Sequence, residues 1–143
     1  MLVGGPDTIG DAERDADRLE GGAGADTMSG GAGNDVFDFN DILDSGVSSA
    51  LRDVILDFTT GAVGFVDRID LRDIDAVAST LTVNEAFVFR DTGAFTGAGQ
   101  VRVVQSGADV IVELSTDLDI PPEMTIRLLN QTATAIESLD FLL

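Results

Sequence analysis

A nine-residue period near the start of the chain constrains its fold more than any other feature. Gly21-Gly22-Ala23-Gly24-Ala25-Asp26-Thr27-Met28-Ser29 is followed without a gap by Gly30-Gly31-Ala32-Gly33-Asn34-Asp35-Val36-Phe37-Asp38. Both follow G-G-x-G-x-D-x-U-x, where U is a large apolar residue. The preceding nine residues, 12–20, have lost the glycines but keep Asp17 in the Asp slot and Leu19 in the apolar slot. A shorter copy, Gly4-Gly5-Pro6-Asp7-Thr8-Ile9-Gly10, sits one residue out of phase. Positions 4–38 therefore form one repetitive tract, with two intact units and two eroded ones. A single Gly-Gly-Ala-Gly would read as a linker or a plain turn. Strict tandem copies with an Asp ladder at 17, 26 and 35 read as a metal-binding scaffold.

The physical chemistry of the unit supports that reading. Glycines reach backbone angles closed to other residues, so a glycine-rich turn can aim its carbonyl oxygens at one centre. The Asp adds a carboxylate oxygen. The x-U-x tail makes a very short strand with U pointing inward, so two units complete one turn of a flattened right-handed coil. Leu19, Met28 and Phe37 would fill that coil. Calcium needs six to eight oxygens, so one loop cannot hold an ion and two stacked loops must share it. Units two repeats apart lie on the same side. The 12–17 loop should thus stack on the 30–35 loop. The 21–26 loop should face residues 4–7 on one side and the residues after Asp38 on the other. The candidate calcium ligands are Asp17, Gly22, Ala23, Gly24, Asp26, Gly31, Ala32, Gly33 and Asp35, enough for about one to three well-formed sites.

Composition narrows the chemistry further. The 143 residues suit one domain, and 44% are hydrophobic, enough for a real core. The net charge is -18, from 26 acidic and 8 basic residues. That balance argues against nucleic acid and anionic membrane as partners and for cations. No Cys or His is present, so thiolate and imidazole metal sites and imidazole-based triads are excluded. Carboxylates and carbonyls remain, and they suit a hard cation. No apolar window reaches the length of a transmembrane helix. The N-terminus shows no basic region followed by an apolar run, so the expected choice is the cytosol or an export route that does not read the N-terminus.

After the tract the pattern changes to short strands. Candidates are 36–39, 54–58, 67–72, 86–90, 101–104, 109–114 and 125–129, separated by Gly- or Ser/Thr-rich turns. Short helices are expected only around 47–51 and 135–139. The predicted fold is all-β: a short roll of nonapeptide repeats at 1–38 running directly into a β-sandwich or roll at 39–143, one continuous structural unit.

These residues resemble the RTX (repeats-in-toxin) proteins of type I secretion. The part after the repeats also resembles the C-terminal domain of serralysin-type metalloproteases. The matching stretches are Asn34-Asp35-Val36-Phe37-Asp38-Phe39, Asp53-Val54-Ile55-Leu56-Asp57-Phe58, Asp67-Arg68-Ile69-Asp70-Leu71 and the ending Leu139-Asp140-Phe141-Leu142-Leu143. The resemblance implies a parallel β-roll with calcium in its turns. It also implies a secreted, extracellular protein, and an uncleaved C-terminal signal, Asp140-Phe141-Leu142-Leu143, read by an ABC-type exporter. The late acidic loop of that family is here reduced to Asp117-Leu118-Asp119-Ile120-Pro121-Pro122. Its zinc-protease half, which needs a His-Glu-x-x-His helix, is absent from a chain without His.

The expected function is a calcium-binding C-terminal module that folds after export, with calcium and the exporter as partners, as a monomer and without catalysis. A second expectation is a calcium-dependent polysaccharide-binding module of a carbohydrate-active enzyme. Against it, 8 Arg and no Lys make a continuous basic groove hard to build, and Arg52, Arg68, Arg72, Arg90, Arg102 and Arg127 are expected to pair with neighbouring acids. Catalysis by paired carboxylates ranks last, since no Trp or Tyr offers a sugar platform.

Overall fold

In a computed structural model, residues 2–3, 16–61, 64–80, 84–119 and 121–143 are described. Eleven strands occur among them, with only two single-turn 3-10 helices, Ala133–Ala135 and Ser138–Asp140. The strands are β1 (Leu2–Val3), β2 (Arg18–Glu20), β3 (Thr27–Ser29), β4 (Val36–Asp38), β5 (Asp53–Ile55), β6 (Arg68–Asp70), β7 (Val88–Phe89), β8 (Gln100–Ser106), β9 (Asp109–Ser115), β10 (Met124–Leu128) and β11 (Phe141–Leu142).

Each x-U-x tail of the repeats becomes a three-residue strand. Successive tails go to opposite sheets, as a coil with two units per turn requires. One sheet has the order β11-β6-β4-β2 and the other β1-β3-β5-β10-β9-β8-β7. Within the coil every pairing is parallel and in register. Leu19 lies beside Phe37 and Phe37 beside Ile69 in one sheet, while Met28 lies beside Ile55 in the other. Leu19, Met28 and Phe37 are 2% exposed or less, and so are Ile55 and Ile69. The apolar U slots thus fill the space between the sheets, and Phe58 closes on Phe37 with ring centroids 6.1 Å apart.

The coil does not stop at the last nonapeptide. Strands β5 and β6 add one more rung on each side, although their loops no longer follow the repeat. Beyond them the two sheets diverge. The chain's ending supplies β11, which pairs parallel with β6. In the other sheet β10 pairs parallel with β5 on one edge and antiparallel with β9 on its other edge. From β10 to β8 that sheet is antiparallel, with Ser106 opposite Asp109 across a two-residue turn, and β7 then adds parallel to β8. The turn opens on Gly107 at φ 66°, in the left-handed region that favours glycine. Strand β8 alternates as a half-buried strand does, whereas β9 is buried along its length except at Glu113. Val101, Val103, Val110, Val112 and Leu114 join one continuous core with Met124, Ile126 and Leu128.

The helix expected at 47–51 is not formed. There the Gly46 N–H donates to Leu51 O and the Leu51 N–H to Ser48 O, which closes a compact turn instead. The helix expected at 135–139 is represented by the two 3-10 turns. Buried Ser45 ties this loop region to β10. Its Oγ donates to the Thr125 carbonyl at 2.6 Å and accepts the Asp53 N–H at 2.8 Å.

Candidate calcium site

The register of the coil stacks the Asp slots into two columns. On one side stand Asp17, Asp35 and Asp67, and on the other Asp26 and Asp53. Each carboxylate holds the backbone of the Asp one turn earlier. The Asp17 N–H donates to Asp35 Oδ1 at 2.8 Å, and the Asp35 N–H to Asp67 Oδ1 at 2.9 Å. In the other column the Asp26 N–H donates to Asp53 Oδ1 at 2.8 Å. The repeat's Asp is therefore a structural clamp as well as a possible metal ligand.

Glycine in the loops answers two different demands. Gly22 (φ 72°) and Gly24 (φ 134°) have left-handed backbone, and so do their equivalents one repeat later, Gly31 (φ 94°) and Gly33 (φ 143°). The first glycine of each unit is needed for space: a Cβ on Gly30 would sit 2.3 Å from Asp35 Oδ2. Asp57 fixes the second loop from outside, accepting the Gly30 and Gly31 N–H groups at 3.0 Å and the Ser29 hydroxyl at 2.6 Å.

The electrostatics of the columns call for a cation. Asp35, Asp53 and Asp67 are all at most 1% exposed. Among the described residues no Arg pairs with Asp26, Asp53 or Asp67; the arginines pair elsewhere, Arg18 and Arg72 with Asp70, Arg18 also with Asp38, Arg102 with Glu113 and Arg127 with Asp109. Burial pushes Asp53 up to about 6, against the Asp26 N–H that lowers it, with Asp26 and Asp44 adding repulsion. Burial likewise pushes Asp67 up to about 6, against the N–H groups of Asp35 and Thr59. Among the described residues no three acidic side chains converge. Side chains alone do not make the site, so any ion held here must also take loop carbonyls, as two stacked turns permit.

Four solved or sequence-level facts bear on this arrangement. Residues 11–41 match the model of the RTX calcium-binding nonapeptide repeat, in four copies. These residues are RTX calcium-binding repeats. No curated protein matches the chain. Among solved structures, the AlgE6R3 subunit of the Azotobacter vinelandii mannuronan C5-epimerase aligns with 99% of this chain and 66% of its own, at 24% identity and TM-score 0.58. The AlgE6R2 subunit of the same epimerase aligns with 91% and 72%, at 22% identity and TM-score 0.53. At these identities the likeness speaks for the fold, an all-β repeat module. The chain spans just under two thirds of the AlgE6R3 subunit.

The RTX tract and the stacked Asp columns fit calcium by donor chemistry: hard oxygen, surplus negative charge, and turns built from glycine. Asp17, Asp26 and Asp35 stand at their expected slots, and Gly22–Gly24 and Gly31–Gly33 form the expected turns. The 12–17 loop lies largely outside the described residues, and residues 4–7 lie wholly outside them. Sequence reasoning did not place Asp53 and Asp67 in the columns. The signal was present in the triplets Asp53-Val54-Ile55 and Asp67-Arg68-Ile69, which keep D-x-U without the preceding glycines. In the late acidic stretch the Asp119 N–H donates to Asp117 Oδ1 at 2.7 Å.

Proposed function

We propose that this chain is a calcium-triggered folding module of an exported protein, with any catalytic activity residing elsewhere. The observation that carries the reading is the pair of Asp columns, in which Asp35, Asp53 and Asp67 are buried and, among the described residues, no Arg pairs with Asp26, Asp53 or Asp67. Where calcium is scarce these carboxylates repel and the glycines favour the open chain. Where calcium is near millimolar, ions bind the coil alone and draw folding forward. At a Kd of about 10⁻⁴ M, each site adds about 1.4 kcal/mol at about 1 mM calcium.

The chain's ending supports the coupling. Phe141 and Leu142 pair with β6, and Asp140 is buried, with its carboxylate accepting from Thr60 Oγ1 and the Glu137 N–H. A tail built into the sheet can be read by an ABC exporter only while the chain is unfolded, so the absence of calcium would keep the signal legible. Far-UV circular dichroism during calcium titration of chelator-treated protein tests the reading: β content and melting temperature should rise together. Equal values with and without calcium would refute it.

A second reading has one observation in its favour. Arg52 and Arg127 line a depression of about 250 Å³ with Ser49, Ser106 and Asp109. Arg127 pairs with Asp109, whereas Arg52 donates to Thr125 Oγ1 and the Val47 carbonyl. This spot of positive charge, on a fold shared with repeat modules of a mannuronan epimerase, would suit an acidic polysaccharide. Calorimetric titration with oligomannuronate in calcium should then show binding that Arg52→Ala removes.

A further inference from the structure

Asp53 lies outside the matched repeats, and its surroundings differ from those of its counterpart Asp67. Its side chain is completely buried. One oxygen, Oδ1, accepts the Asp26 N–H. The other, Oδ2, is shielded from solvent and has no hydrogen-bond partner among the described residues. That oxygen points at a definite place. A Cβ added to Gly21 would lie 3.3 Å from Asp53 Oδ2 and 3.3 Å from Asp26 Oδ2, so both oxygens face the same space beside the Gly21 backbone. Two carboxylate oxygens turned toward one space need a cation or a proton between them.

Asp67 has the same slot in the other column but no spare oxygen. Its Oδ1 accepts the Asp35 N–H at 2.9 Å and its Oδ2 accepts the Thr59 N–H at 2.8 Å. The loop before β6 thus brings a backbone donor to the second oxygen, where the loop before β5 brings none. The next rung offers no replacement ligand on the Asp53 side, since the residue in register on β10 is buried Ile126.

We propose that Asp53 and Asp26 together hold a calcium ion beyond the nonapeptide tract, and that Asp67 holds none. The turn Gly22–Gly24 and water would supply the remaining oxygens. The inference rests on the reading of the module as calcium-binding, and the test separates the two. Native mass spectrometry in a magnesium background counts tightly bound calcium in the whole chain and in Asp53→Asn, Asp26→Asn and Asp67→Asn, with circular dichroism in saturating calcium as the check of folding. Asn keeps an oxygen to accept the Asp26 N–H. Expected are one ion fewer in Asp53→Asn, one fewer in Asp26→Asn, no further loss in the double variant, and the full count in Asp67→Asn. An unchanged count in Asp53→Asn, the result if a proton bridges the pair, overturns the proposal, and so does an ion lost from Asp67→Asn. If Asp53→Asn does not fold, Asp26→Asn decides by the same count. A chain that binds no calcium at all would instead overturn the reading of the whole module.

Discussion

Substituting Gly30 with Ala tests whether the first glycine of the repeat is there for space. A Cβ at Gly30 would meet Asp35 Oδ2 at 2.3 Å, Cγ at 2.7 Å and Cβ at 2.8 Å. Neither partner can step aside cheaply. The Gly30 N–H is held by Asp57, and Asp35 is buried with its Oδ1 on the Asp17 N–H. Forcing a methyl group into such a contact costs about 1–3 kcal/mol, and losing the Asp35 hydrogen bond adds about 1 kcal/mol. The expected loss is about 2–4 kcal/mol. An unfolding entropy of about 2.1 cal/mol/K per residue over 143 residues gives about 0.3 kcal/mol/K, so the melting temperature should fall by about 7–13 °C. Gly22→Ala is the control. It has positive φ but nothing within 4 Å of the added Cβ. Its cost is backbone strain of about 1 kcal/mol, or about 3 °C. Thermal melts in saturating calcium compare the two, and a Gly30→Ala chain that melts no lower than Gly22→Ala would refute the steric argument.

Two further predictions concern the outer face and the junction of the sheets. Hydrogen bonds from Arg72, against the opposing effect of burial and with help from Arg18, hold Asp70 down to about 2. Its folded value lies below the unfolded one of about 3.9, so its contribution is complete above that pH and fades as pH falls toward 2. Urea midpoints should therefore show wild type ahead of Asp70→Asn by about 1 kcal/mol at pH 6, since solvent screens the half-exposed arginines, with the lead shrinking by pH 3; a lead independent of pH would refute the ion pairing. Ser45→Ala would strand the Asp53 N–H and the Thr125 carbonyl. A loss of about 2–4 kcal/mol in denaturant is expected, against under about 0.5 kcal/mol for the exposed Ser49→Ala.

The repeats were legible because their physics is local. Nine residues specify a turn, a clamp and an inward side chain, so Leu19, Met28 and Phe37 could be placed in the core and Asp17, Asp26 and Asp35 in columns from spacing alone. The all-β character and most strands after the tract were legible from alternation and turn residues. The extra rungs were not. Neither Asp53 nor Asp67 is preceded by the glycines of the repeat, and only the parallel register shows that Asp53 stands one turn above Asp26. The turn at 46–51 looked helical because its composition is compatible with a helix; the Gly46–Leu51 closure depends on contacts that spacing does not reveal. The pairing of β11 with β6 joins residues about seventy positions apart in sequence, Phe141 with Ile69, which no local pattern encodes.

The antiparallel partner of β10 has a consequence for self-association. A coil of identical rungs is its own template: the edge of its last rung offers the same unpaired groups that recruited the rung before it, and a second chain could add there and continue into a filament. Here β10 covers the edge of β5 and then turns its far edge to β9, whose direction is reversed. A strand running the wrong way cannot pass on the parallel register, so growth by templating ends within the molecule at that face.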